Sequence, residues 1–535
     1  MLWQIAKKDF LSNLISARFI VGFILCLFLI PFSIIINLED YKEQVRLYQL
    51  DRDNAEKAMK QVRVYSMLRP EIAKPPEPLG VFYRGISSNV GNRVKIRLGE
   101  KPLFAEGKSA TQDNPFLSAF FSMDFITIII IVMSLLAFIF SYDICPREKE
   151  DGTLKMQLSN SISRAQILAG KVTGIFLTLL PILIFCYLLG AVIILVSKDI
   201  SFSAHEWGRM VLLFIASLLY LSIFIFIGLF ISTRIKSSLT SVIVCLFFWV
   251  FFVFIIPNLS VYLAENFVQV QSRDNLNFAI EQLAKEYREK CDEYSKILEK
   301  PDWKMNWYCN GDQHGGLECY GCSKSFFEWY RLNKIYSEPL RIDYAEKKWA
   351  FQKAYLESLE RQRKFAEQFS LISPSAMFRS IAASLCQTDF HRYQRFMDQA
   401  RAYRATFVRF FQDKNMFASY RYFTAQEPAF FMTADELVMR RTGGEFQSLN
   451  ELSSWVSKQN DWRLYFKKLG QVTIPGEKPE DHEYLDISDV PVFQSPGRFL
   501  FNGLSSVLIQ IGIIVIGCVL LFYFSFLAFI KYDVR

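Results

Sequence analysis

Histidine is nearly missing from this chain, and charge is missing where the chain is most apolar. Among 535 residues 21% are charged and only four are His: His205, His314, His391 and His482. They are scattered, with no H-E-x-x-H pair, no catalytic triad and no dinucleotide fingerprint around them. The common metalloprotease, hydrolase and oxidoreductase signatures are therefore excluded. No G-x-x-x-x-G-K-[ST] phosphate loop occurs, and the nearest string, ILAGKVTG (167–174), lacks its first glycine. The chain thus carries no recognisable ATP site. Low-complexity tracts and internal duplication are also lacking, which removes disordered and repeat architectures. A formal charge of +8 is small for this length and does not describe a nucleic-acid-binding surface.

What is abundant is apolar length. Hydrophobic residues make up 51% of the chain, with 51 Phe, and they gather in six charge-free runs. Arg18 to Glu39 encloses 20 uncharged residues, Asp124 to Asp143 18, Lys171 to Lys198 26, Arg209 to Arg234 24, Lys236 to Glu265 28, and Arg498 to Lys531 32. About 20 residues at 1.5 Å rise cross a hydrocarbon core ~30 Å thick. All six qualify as spans, at 19–38, 123–142, 172–197, 210–232, 238–262 and 500–530. Pro31, Pro181 and Pro257 fall in or beside them, which membrane helices tolerate. No Asp, Glu, Lys, Arg or His lies inside these runs, which argues against a proton relay or an ion-coupled carrier.

Orientation follows from the short flanks. Lys7, Lys8, Arg18, Arg147, Lys149, Lys155, Arg164, Lys171, Arg234, Lys236, Lys531 and Arg535 make 12 basic residues on one side, against Lys198 and Arg209 on the other. The positive-inside rule places the 12 in the cytoplasm with both termini. Segments 39–118 and 263–497 are then extracytoplasmic. No cleavable signal peptide is expected, because the first run is too long and no small-residue cleavage site follows it. Residues 1–18 are amphipathic and read as an interfacial helix.

The fold class expected is an all-α polytopic membrane protein of six transmembrane helices, with a large, mainly helical and partly α+β extracytoplasmic insert. Residues 39–69 carry charges of both signs at i,i+4 spacing and continue the first span as a helix. VFYRG (81–85) and RVKIRL (93–98) alternate like short strands. Residues 274–300 and 324–369 read as a projecting helical hairpin, 374–386 and 389–412 as further helices, and 415–495 as α+β. The hairpin tip holds Cys309, Cys319 and Cys322, with Cys291 nearby and His314 inside it. An oxidising exterior favours disulfides among the four cysteines. Cys309, His314, Cys319 and Cys322 are an alternative metal set, and free thiols a third reading. Cys386 leaves an odd number in the extracytoplasmic segments. Cys26, Cys186, Cys245 and Cys518 lie in spans and read as apolar packing.

The loop at 143–170 is the longest on the cytoplasmic side. Within it REKEDG (147–152) is a compact charged turn, and TLKMQL has helical spacing. A solvated connector is the plain reading; a docking element for a cytoplasmic motor is the sharper one. The string FSYDICPREKEDGTLKMQLSNSISRAQILAGK resembles the corresponding loop of ABC-2 type transporter permeases, of the NosY-like group. KKDFLSNLISARF, IPNLSVYLAEN, ISPSAMFRSIAASLCQTDFHRYQRFMDQARAYR and the closing FLAFIKYDVR resemble the same family.

That resemblance implies the permease subunit of an ATP-binding-cassette transporter, not itself an enzyme. It would work with separate ATPase subunits and a second permease chain, either a copy or a sister. The chain itself would hold no cofactor, and ATP and Mg would sit on the partner ATPase. Arg147, Glu148, Lys149, Glu150 and Asp151 would contact the ATPase. Gly152 would permit the turn, Thr153 would follow it, and Leu154 and Leu158 would anchor in a groove. The implied location is a bacterial cytoplasmic (inner) membrane, in contact with lipid, with room for an extracytoplasmic protein partner and none for nucleic acid. A non-transporting membrane receptor or scaffold, with the large insert as its binding module, is the alternative.

Overall fold

Serine starts most of the helices in this protein. The structure is a computed structural model and describes residues 2–88, 90–107, 124–153, 156, 163–197, 200, 202–301, 307–493 and 504–530. Ser16, Ser163, Ser203, Ser272, Ser323 and Ser373 each accept a backbone N–H from the first turn that follows. Such caps satisfy donors that have no intrahelical partner.

Six helices are long and apolar enough to cross a membrane. The first, α2 (Ala17–Lys60), follows α1 (Leu2–Leu14). The second, α3, runs as Phe125–Ile128, a π-helical turn Ile129–Met133 and Ser134–Ser141. A short helix α4 (Pro146–Glu150) comes next. The third and fourth are α5 (Arg164–Val196) and α6 (Ala204–Arg234). The fifth, α7, runs as Ser238–Val250, a π-helical turn Phe251–Ile255 and Ile256–Phe267. The sixth, α15, is Leu504–Ile530. Below, the end of the bundle that carries α1 and α4 is called the loop end, and the other the insert end. Helices approach closely through small residues. A Cβ on Gly22 would lie 2.6 Å from Leu136 Cδ2, and one on Gly228 would collide with Ser141. Gly170 and Gly174 of α5 likewise give α1 its seat, against Ile5, Ala6 and Asp9.

Parts of 62–105 and of 317–493 share one core, built on Leu68, Ile72, Val94, Phe326, Phe396, Phe407 and Phe411. Two helices project from it, α8 (Arg273–Ile297) and α9 (Lys324–Ser370), joined by a hairpin of β3 (Tyr308–Gly311) and β4 (Leu317–Tyr320). Then come α10 (Pro374–Leu385) and α11 (Phe390–Asp413). Last, α12 (Ala434–Arg441), α13 (Leu449–Gln459) and α14 (Arg463–Leu469) close a small core of their own around Leu437, Val438 and Leu452.

Three expectations change. Residues 81–85 form no strand. Val81 and Phe82 are fully buried, and Asn37 Nδ2 of α2 donates to the Val81 carbonyl at 3.0 Å, so a side chain takes the place of a ladder partner. The 93–98 segment does form a strand at β2 (Arg93–Lys95), but it pairs antiparallel with β1 (Glu71–Ala73). Residues 415–493 contain short helices and 3-10 turns, with no strand among the described residues.

Helix α10 does not sit with the rest of the insert. Met377, Phe378, Ile381, Ala382 and Leu385 join the core of the spans. Phe378 stacks on Tyr220 of α6 at 4.7 Å. Tyr220 lies 14 residues before Arg234, or about 21 Å from the loop end at 1.5 Å per residue. Ser375 Oγ donates to the Phe252 carbonyl at 2.9 Å, inside the π turn of α7. The other π turn is served in the same way, with Tyr220 Oη donating to the Ile130 carbonyl at 3.0 Å. Hydroxyls thus satisfy the backbone groups that a π turn displaces from the helical ladder. One short helix of the insert is therefore packed into the membrane bundle.

Candidate functional site at the loop end

Three consecutive side chains of α4 point at three different spans. Glu148 forms an ion pair with Lys171 of α5 at 2.6 Å, with side chains 14% and 2% exposed. Lys171 Nζ also donates to the Ile144 carbonyl at 3.3 Å. Lys149 Nζ donates to the carbonyls of Thr233 (2.9 Å) and Ile235 (3.1 Å), where α6 ends. A cation there satisfies the last carbonyls and complements the negative end of the helix dipole. Glu150 accepts from the backbone N–H of Ser238 at 2.8 Å and from its hydroxyl at 2.7 Å, where α7 begins. Ser237, in the cap position there, makes no side-chain cap bond, so Glu150 fills that role.

The neighbouring residues extend this grip. Arg18 of α2 pairs with Asp143 at 2.7 Å and lies over the Tyr142 ring. The Cys145 N–H donates to Ser232 Oγ at 2.9 Å, and Ser241 Oγ donates to the Tyr142 carbonyl at 2.7 Å. At the far side of the loop, Arg164 donates to the carbonyls of Phe529 (3.5 Å) and Ile530, at the end of α15. The link between α3 and α5 is therefore bonded to α2, α6, α7 and α15, and the Glu148–Lys171 pair ties its own two ends together.

The charged turn at 147–151 is not uniformly exposed. The three middle charges, Glu148, Lys149 and Glu150, bond to the spans, Glu150 from an exposed position, and among the described residues the two flanking ones do not. Arg147 and Asp151 are the exposed pair, 65% and 60% open and 4.0 Å apart. Gly152 has φ +71 with nothing within 4 Å of the position a Cβ would take, so it turns the chain where a side chain would strain the backbone. Thr153 and Met156 are exposed. Leu154 and Leu158 lie outside the described residues.

The cysteines sort themselves by distance. Cys309 and Cys319 are opposite residues of β3 and β4 and are joined by a disulfide. Cys322 Sγ lies 3.6 Å from Cys309 Sγ. Burial pushes the Cys322 thiol up to about 12. His314 is in the turn at the far end of the hairpin, held by Asp312, so the set Cys309, His314, Cys319 and Cys322 is not assembled. Cys291, on α8, is a free thiol beside Tyr287 and joins no bridge. Cys386 is free and fully buried against the bundle.

Six apolar helices and a loop bonded to several of them are the features of a multi-pass membrane component. The profile of the family described as ABC-2 family transporter protein matches residues 3–534. The chain belongs to that family, whose members are permease components of ATP-binding-cassette transporters and generally work with separate ATPases. No curated protein matches the chain.

Proposed function

We propose that this chain is a permease subunit of the NosY-like kind, paired with a second permease chain and driven by separate ATPases that dock at the loop end. In this reading the loop end and both termini face the cytoplasm of a bacterial inner membrane, and the insert lies outside. ATP and Mg reside on the ATPase. The observation that carries the reading is the division of labour in α4. Glu148, Lys149 and Glu150 hold spans, while Arg147, Asp151, Gly152 and Thr153 stay exposed, so a push on the outer face reaches every span. A pull-down with the ATPase tests it. Asp151→Lys should lose the ATPase while the chain still folds, because like charges placed at a partner surface cost several kcal/mol. Retention of the ATPase by Asp151→Lys together with Arg147→Glu would count against docking there.

Mechanical transmission is the second reading, favoured by the shape of the helices. The 44 residues of α2 and the 47 of α9 are continuous, or about 66 Å and 70 Å long at 1.5 Å per residue. The latter leads into α10, which is packed against α6 and α7. Motion of the bundle would thus move the insert, and an extracytoplasmic partner bound to it, without passage of cargo through the spans.

A further inference from the structure

The three sulfurs at the hairpin tip form a cluster that one disulfide does not account for. Cys309, Cys319 and Cys322 Sγ all lie within 4.8 Å of one another. Cys309 is exposed, whereas Cys319 and Cys322 are 0% and 1% exposed. A d10 ion such as Zn2+ binds thiolate at about 2.3 Å. Two thiolates sharing it tetrahedrally therefore stand about 3.8 Å apart, close to the 3.6 Å between Cys309 and Cys322.

The surroundings hold this arrangement in place. Gly321 has φ +61, and a Cβ there would lie 2.7 Å from Arg441 Nη2. The turn that brings Cys322 back toward Cys309 thus requires glycine. Arg441 Nη2 donates to the Gly321 carbonyl at 2.8 Å, and its guanidinium lies 4.0 Å over the Trp307 ring. The Cys319 N–H donates to the Phe423 carbonyl at 2.9 Å, fixing β4 to the insert core. The exposed side at Cys309 supplies both an entry path and an open coordination position.

We propose that, once the Cys309–Cys319 bond is reduced, Cys309, Cys319 and Cys322 form a three-thiolate site for one soft or borderline d10 cation. Reduction takes two electrons and two protons from a dithiol, which leaves as its own disulfide. The cation then displaces the thiol protons to solvent. Thiolate ligands select such ions over Mg2+ or Ca2+. The site is closed when oxidised and open when reduced, and it stands independently of the permease reading.

The test uses the full chain in detergent, reduced, desalted without oxygen and titrated with Co2+ and then Zn2+. Co2+ should give sulfur-to-metal charge-transfer and visible d–d bands that saturate at one equivalent, and Zn2+ should bleach them. The unreduced chain should give neither. Cys309→Ser, at an exposed position, and Cys322→Ser should each weaken Co2+ binding at least tenfold with unchanged elution and circular dichroism. Full-strength bands in either variant, no bands in the reduced chain, or equal bands before reduction would each overturn the proposal.

Discussion

Removing the charge of Glu148 should destabilise the bundle far more than removing that of Asp151, three sequence positions further on. Lys171 is 2% exposed, and its ammonium bonds the Glu148 carboxylate and the Ile144 carbonyl. Glu148→Gln leaves the buried Lys171 ammonium without its ion-pair partner. Breaking a buried pair from one side costs ~3–5 kcal/mol, because the remaining charge stays desolvated. Lys171→Met leaves Glu148 unpaired in the same setting and should cost a similar amount. The double variant Glu148→Leu/Lys171→Met removes both charges and should recover most of the loss, since well-packed apolar replacements of a buried pair are often neutral. Asp151→Asn touches only an exposed pair and should cost no more than ~1 kcal/mol. Denaturation midpoints of the purified chain in one detergent, for all four variants, check this. A Glu148→Gln midpoint equal to that of Asp151→Asn would refute the assignment of Glu148 to the bundle. So would a double variant no more stable than the singles.

Further outcomes follow from other sites. Arg441 and Glu477 form a pair 1% and 3% exposed at 2.7 Å, where burial pushes the Glu477 carboxyl up and the Arg441 guanidinium down despite their attraction. Glu477→Gln alone should therefore cost ~3–5 kcal/mol, and Glu477→Leu with Arg441→Met much less, in chemical denaturation of the full chain. Gly152→Ala should cost ~1–2 kcal/mol through its left-handed backbone and nothing through contacts, with Gly152→Asn milder, in the same measurement. Partial burial pushes the Asp312 carboxyl up, but its bonds to Arg69 and to the N–H groups of Gly316 and His314 outweigh this and hold it below its ordinary value. That stabilisation is present above the unfolded pKa and is lost as pH falls through the folded one. Hydrogen exchange at 308–320 should thus quicken in acid below about pH 4 in the native chain, and Asp312→Asn should abolish that step.

The parts legible in the sequence are those whose signal is local. Charge-free runs reveal the six apolar helices because each long uncharged stretch marks one helix. The i,i+4 charge pairs of α8 and α9 reveal the hairpin in the same way. The role of Glu148 is not local. Its partner is Lys171, 23 residues further on, and in the sequence Lys171 looks like any basic residue flanking a span. Lys149 and Glu150 bond to backbone groups of α6 and α7, and no residue type at those ends announces such a partner. Gly152 was readable because a charged turn needs a residue free to adopt positive φ. The burial of α10 in the bundle is not legible, because Pro374–Leu385 carries an arginine and several serines, as a surface helix does. Its small residues, Ser375, Ala376, Ala382 and Ala383, were the available hint of close helix packing. The convergence of Cys322 on Cys309 depends on the turn at Gly321, which spacing alone does not fix.

In the function proposed above, the outer face of α4 and the turn after it meet an ATPase on the side opposite the insert. A photo-reactive amino acid placed at Thr153, and separately at Gln459 of α13, tests this in cells that carry the whole transporter. Position 153 should crosslink to an ATPase subunit, at the expected summed mass, and position 459 should not. An ATPase crosslink from position 459, or its absence from 153 while the ATPase still co-purifies, would contradict it.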